Sequence, residues 1–180
     1  MDPERWQLSI ERVARPRRSG PRWHFTLALD GQRVFDSRWV TLKLNTERGA
    51  RWVARLVRTA IEAGVFAPPR GANVRPSHRA PILWTQQGAK DWDDDSVCTY
   101  GGYGAHVEWL FGPQGKGGEY YVGVWSPAPK PGAFADFHYT EVLDDMHIRS
   151  GDAGRFLAEL LIDLASAGQP IPAISDLPQA

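Results

Sequence analysis

Residues 23–35 read WHFTLALDGQRVF. Trp23, Phe25, Leu27 and Leu29 alternate with His24, Thr26 and Ala28 and lead into Asp30-Gly31. A period of two is the side-chain repeat of a strand with one buried face. Asp-Gly suits a two-residue hairpin turn, in which both central positions take positive φ. The stretch therefore predicts an antiparallel hairpin. Upstream, WQLSIERV (6–13) shows the same spacing of two in Trp6, Leu8 and Ile10, and ARPRRSGP (14–21) is a basic turn punctuated by Pro16, Gly20 and Pro21. Downstream, the return strand is expected to run on through Trp39, Thr41 and Lys43, with Val40, Leu42 and Leu44 on its other face. Thr46 then caps a helix that stops near Gly64.

The second half reads in the same way. Residues 65–90 are rich in Pro, Gly and Arg and predict an irregular connection. AHVEWLF (105–111) and EYYVGVW (119–125) are strand-like, and GPQGKGG (112–118) is the loop between them. FADFHYTEVL (134–143) predicts another strand. Ser150 or Asp152 caps a last helix running to about Ala167, which ends at Gly168 before Pro170. At an offset of 104, RWVARLVRTAIEAG (51–64) lies over RFLAELLIDLASAG (155–168), and Arg51, Ala54, Leu56, Ala63 and Gly64 match Arg155, Ala158, Leu160, Ala167 and Gly168. The expected fold is a single α+β domain over residues 1–180. It has one antiparallel sheet of about six strands with two amphipathic helices packed on it, and its halves, about 1–65 and 100–168, echo each other as an internal duplication would. The linker is placed at 65–100. Helices on one side would leave the other face of the sheet open to a partner or ligand.

At 180 residues with 42% hydrophobic composition, the chain is long enough for one proper core. No run approaches the roughly 18 apolar residues of a membrane helix. The opening residues MDPERWQLSIERVARPRRSG lack the apolar middle of a secretory signal. The lone Cys98 fits a reducing compartment. These features point to the cytoplasm and away from a membrane.

The zero net charge hides an asymmetry. Residues 1–80 hold 16 basic against 7 acidic side chains, a net of +9, and residues 81–180 hold 5 against 14, a net of −9. Such an imbalance suggests a charged partner, unless the halves neutralise one another in the fold. Arg48, Arg51, Arg55 and Arg58 fall within an arc of roughly 80° on the first helix, opposite Val53, Leu56, Val57, Ala60 and Ile61. That stripe is the candidate nucleic-acid surface; the plainer reading is the solvated face of an amphipathic helix. Asp91, Asp93, Asp94 and Asp95 have the spacing of early calcium ligands, but Ser96 and Gly102 stand where an EF-hand needs Gly and Glu. With Trp92 among them, they read as a solvated loop or, alternatively, as an anionic contact surface carrying an aromatic anchor.

Other constellations are weaker. His106 and Glu108 share a strand face, and His138 would complete a two-histidine, one-carboxylate metal triad, the basis of an alternative reading as a small metal-dependent enzyme. GPQGKGG leads into a strand, whereas a phosphate loop must lead into a helix. In strand 119–125, Tyr121 and Trp125 face away from Tyr120, Val122 and Val124, which places aromatics on a second face.

The order GAHVEWLFG, GGEYYVGV and DDMHIRSGDAGRFLAELLIDLASAGQPIPAIS, over about residues 104–174, resembles bacterial immunity proteins of polymorphic toxin systems. Tyr120-Tyr121, the helix segment Arg155-Phe156-Leu157, Gly168 and Pro170 carry the likeness. In that family an Arg lies further ahead of the Phe-Leu pair, and a terminal Trp is present that this chain lacks. The resemblance implies a protein without catalytic residues or cofactor that binds one cognate toxin, one-to-one, and blocks its active site. On that reading the partner-binding residues are Asp91, Trp92, Asp93, Asp94, Asp95, Glu108, Tyr121 and Trp125.

Overall fold

The hairpin at residues 23–35 supplies the central strand and one edge strand of a three-stranded antiparallel sheet, formed by β1 (Trp6–Val13), β2 (Arg22–Leu29) and β3 (Gln32–Asp36) in that order. This computed structural model describes residues 5–13, 22–40, 42, 44, 46–66, 83–87, 95–111, 118–126 and 151–171. The turn between β2 and β3 is made as its sequence requires, with φ of +51° at Asp30 and +77° at Gly31. Asp is tolerated there because its short polar side chain lowers the cost of the left-handed region. The Arg5 guanidinium also grips its carboxylate.

The return strand is shorter than expected. It ends at Asp36, and Ser37–Val40 form a 3-10 turn. Buried Ser37 explains the break. Its hydroxyl accepts the Phe25 amide at 3.1 Å and so takes the place of a ladder carbonyl. Asp36 Oδ1 accepts the Arg38 amide at 2.9 Å, and the Leu42 amide donates to the Ser37 carbonyl at 3.0 Å. Among the described residues the chain next meets the sheet at Leu44, whose carbonyl accepts the Trp23 amide at 2.8 Å.

The strands do not form one sheet of about six. A second antiparallel sheet holds β4 (Thr85–Gln87), β5 (Asp95–Tyr100), β6 (Tyr103–Phe111) and β7 (Gly118–Trp125), in that order. Two of these strands fall in the stretch expected to be linker. Gly101 and Gly102, at φ of +59° and +85°, turn β5 tightly into β6; the Gly-Gly pair is itself a hairpin signal. The expected strand at 134–143 lies outside the described residues.

Each sheet carries one helix of 16 residues, α1 (Glu47–Glu62) on the first and α2 (Gly151–Ser166) on the second, and the two helices also pack on each other. Thr46 caps α1 as its sequence predicts, its hydroxyl accepting the Gly49 amide at 2.9 Å. Both helices end in a left-handed glycine, Gly64 at φ +70° and Gly168 at +66°. One core joins the halves. Phe35 of β3 stacks on Phe25 at 5.5 Å and on Phe156 of α2 at 6.0 Å, with Phe66 against both Phe35 and Phe156.

The halves repeat one structural unit. Adding 104 to the numbers of α1 gives α2 residue for residue, and the capping bonds recur. Ala63, Gly64 and Val65 donate to Thr59, Ile61 and Ala60, as Ala167, Gly168 and Gln169 donate to Asp163, Ala165 and Leu164. Seven of the eight residues buried along α1 have buried counterparts on α2, the exception being Trp52 against half-buried Phe156. Adding 97 carries the β1–β2 hairpin onto β6–β7 in the same register. Ile10↔Phe25 becomes Val107↔Val122, and Glu11↔His24 becomes Glu108↔Tyr121. Beyond this shared unit the halves differ. β5 and β4 continue the second sheet outward from β6, while no described strand pairs with the outer edge of β1.

Candidate functional site

Two surfaces gather the residues singled out in the sequence. The first is the face of the second sheet turned away from α2. Ala105, Val107, Val122 and Val124 are buried beneath α2, where Gly154 permits close approach: a Cβ there would stand 2.9 Å from Val107 Cγ1. Alternation sends His106 and Glu108 of β6 and Tyr121 and Trp125 of β7 to the opposite face, where all four are half-buried. Glu108 and Tyr121 are direct cross-strand partners, and Trp125 stands opposite Gly104. Glycine is needed at 104, because a Cβ would be driven into the Trp125 indole. Burial raises the Tyr121 phenol above its ordinary pKa, and the neighbouring Glu108 charge adds to the effect. Tyr121 is therefore a neutral hydrogen-bonding group beside a carboxylate.

Three of the expected partner-binding residues, Glu108, Tyr121 and Trp125, thus share one face. Asp91, Trp92, Asp93 and Asp94 lie outside the described residues. Asp95 opens β5, one residue before the Ser96↔Val107 pair, so its backbone runs beside that of Glu108. His106 and Glu108 do share a face, while His138 lies outside the described residues. Among those described, no group of three or more His, Cys, Asp or Glu residues is placed to hold a metal ion.

The second surface is a groove of about 450 Å³ between β1 and α1. Trp6, Leu8, Leu27 and Ala54 form its apolar wall; Arg51, Arg55, Arg58 and Glu62 supply its charge. Arg51 is held by Glu47 at 2.5 Å and Arg58 by Glu62 at 2.9 Å, both one helical turn away. Arg58 also lies over the Trp6 ring, 5.4 Å from its centroid. Arg55 stands exposed between them and makes no hydrogen bond or ion pair with a described residue. Arg48, the fourth member of the predicted stripe, sits half-buried in the first turn and is not part of the groove wall.

No family model, curated protein or solved structure matches this chain. Its functional reading therefore rests on these two surfaces. Among the described residues, no helix is long and apolar enough to cross a membrane. The sequence signal for the groove was half present: the arginine spacing marked one wall. The other wall, Trp6 and Leu8, read simply as the inner face of a strand, because nothing local tells a strand that its edge is open.

Proposed function

We propose that this chain is a non-enzymatic protein-binding module, and more narrowly a cytoplasmic immunity protein that binds one cognate toxin, one-to-one, and blocks its active site. The observation that supports this most is the clustering of Glu108, Tyr121 and Trp125 on the face of the second sheet turned away from α2. Tyrosine and tryptophan offer large contact area with few rotatable bonds, and they dominate the energetics of many interfaces. Asp95, the last residue of the acidic run at 91–95 in the sequence, opens β5 beside the backbone of Glu108. A toxin that attacks nucleic acid must surround its substrate phosphates with cationic groups, and a carboxylate-rich patch with an aromatic anchor complements such a cleft.

The deciding experiment is coexpression of the toxin domain encoded beside this gene, with and without the chain. Rescue together with a one-to-one complex is the expected result, and equal killing in both cases overturns the reading. In the complex, Tyr121→Ala and Trp125→Ala should each quicken dissociation roughly tenfold or more, as hot-spot truncations do. Replacing Asp93, Asp94 and Asp95 together by Asn should mainly slow association and flatten its salt dependence.

A further inference from the structure

We propose that the outer edge of β1 and the arginine groove beside it form a docking site for one extended, carboxylate-bearing segment of a partner protein, added antiparallel as a fourth strand of the first sheet. The inference does not depend on the toxin reading.

The internal repeat supplies the main argument. β1 and β6 are equivalent strands in equivalent hairpins. The outer edge of β6 is occupied by β5, which pairs antiparallel from Ser96↔Val107 to Tyr100↔Tyr103. The same edge of β1 has no described partner. The side chains register the difference. Ala105, beneath α2, is fully buried, whereas its counterpart Leu8 is 42% exposed, and Val13 at the other end of β1 is 37% exposed. A strand edge carrying apolar side chains is a liability unless something covers it.

The helices show what chemistry the covering segment meets. On α2, Glu159 accepts the indole N–H of Trp84 at 2.8 Å, and Trp84, which leads into β4, packs against the core. The α1 counterpart of Glu159 is Arg55, the guanidinium without a described partner. Where the second half satisfies its helix from within the chain, the first half presents an open cation flanked by Arg51 and Arg58. A carboxylate is the natural complement, since it can accept two parallel N–H bonds from one guanidinium. Neighbouring apolar side chains of the same segment would rest on Trp6 and Leu8. Paired backbone bonds at a sheet edge with pockets for alternate side chains are the general mode of strand addition.

Two other occupants fit less well. A nucleic acid would satisfy the arginines but not the row of backbone N–H and C=O groups along β1, and the Trp6 face on which a base would stack is taken by Arg58. A second copy pairing β1 to β1 would bring two sets of groove arginines into one cleft, with like charges opposed.

The test uses the full chain and a terminally blocked nine-residue peptide whose alternate, groove-facing positions carry valine, glutamate and phenylalanine and whose remaining positions carry threonine. A fifteen-residue thymidine oligonucleotide serves as the polyanion control. The peptide is expected to bind and to slow hydrogen exchange at alternate amides of β1. The exposed substitution Arg55→Glu should weaken binding tenfold or more, and a peptide carrying lysine in place of glutamate should regain affinity for that variant. The proposal is overturned by absence of peptide binding at millimolar concentration, by unchanged affinity in Arg55→Glu, or by binding that leaves β1 exchange unaltered. Competition in which only the oligonucleotide engages the arginines assigns the groove to nucleic acid and overturns it equally. A dimer in sedimentation with β1 protected before peptide is added does so as well.

Discussion

The two halves are built on one hairpin and one helix, yet they solve the problem of their outer edge differently. In the second half the chain supplies β5, β4 and Trp84, and the corresponding positions are enclosed. Ala105 is fully buried, and Ile162 and Asp163 of α2 are buried where α1 has half-buried Arg58 and Thr59. In the first half no described segment covers the edge, and the corresponding positions are Leu8, Arg55 and Arg58, which line an open groove. The same backbone unit thus serves as interior in one place and as surface in the other. Residue type follows the local solvent, and the repeat makes the substitution pattern legible position by position.

Replacing Trp52 should break the comparison hardest. Among the described residues it is the largest fully buried side chain, and its counterpart Phe156 is half-buried. Trp52→Ala is expected to cost about 3–5 kcal/mol, and Phe156→Ala less, by denaturant unfolding. Equal losses would mean that the helices are not differently enclosed at this position. A smaller effect separates Gly154 from its counterpart Ala50. A Cβ at Gly154 meets Val107 Cγ1 at 2.9 Å and Val122 Cγ2 at 3.2 Å, so Gly154→Ala should cost about 1–3 kcal/mol by overpacking. Ala50→Gly should cost about 0.5–1 kcal/mol for an unrelated reason, the added backbone freedom of the unfolded chain. If Gly154→Ala proved neutral, the tight seating of α2 on β6 and β7 would be in error.

How far the sequence could foresee this architecture is clearest from the places where it failed. Alternation and the Asp30-Gly31 turn located the first hairpin, and Thr46, Gly64 and Gly168 bounded the helices, because each depends on neighbours a few residues away. Ser37 ended β3 early through a bond to Phe25, a contact that no local pattern announces. β4 and β5 hid in a stretch of Pro, Gly and Asp whose pairing is decided by β6. That the strands divide into two sheets is a tertiary fact, as is the open edge of β1. The site was legible to the same degree. Alternation put Tyr121 with Trp125 on one face of their strand and His106 with Glu108 on one face of theirs, and the helical wheel gathered Arg51, Arg55 and Arg58, but the Glu108↔Tyr121 register, Trp6 and Leu8 needed the fold.

The helix ends sharpen the comparison from the other side, since here the halves should behave alike. Gly64 and Gly168 hold φ of +70° and +66° with open space around a built Cβ, so alanine meets no neighbour and only the left-handed backbone opposes it. Gly64→Ala and Gly168→Ala are each expected to cost about 1 kcal/mol. A difference larger than the error of two thermal unfolding series would show that the repeated capping bonds are not energetically equivalent.

The smallest effect concerns His24 and Tyr121, which occupy the same register position opposite Glu11 and Glu108. Burial acts against the charged form of each, and so moves their titrations in opposite directions. His24 is pushed below its ordinary pKa by burial first and then by Arg38, with Glu11 and Asp36 pulling the other way. Ser37 Oγ accepts the Phe25 amide and lies 3.3 Å from His24 Nδ1, a contact that the neutral ring with Nδ1 unprotonated makes by accepting the Ser37 hydroxyl hydrogen. On acidification the unfolded chain takes up this proton first, near pH 6.5. Between that point and the lower folded-state value, the unfolded chain holds more protons and stability falls as pH falls. Tyr121 is raised, so the unfolded chain ionises first, near pH 10, and the contribution is lost only as pH climbs above about 10 towards the higher folded-state value. Urea titrations across pH 5–8 should therefore show an acid-side decline that His24→Gln flattens and Tyr121→Phe leaves in place. A decline of the same slope in His24→Gln would place the proton-sensitive group elsewhere and remove His24 from the comparison.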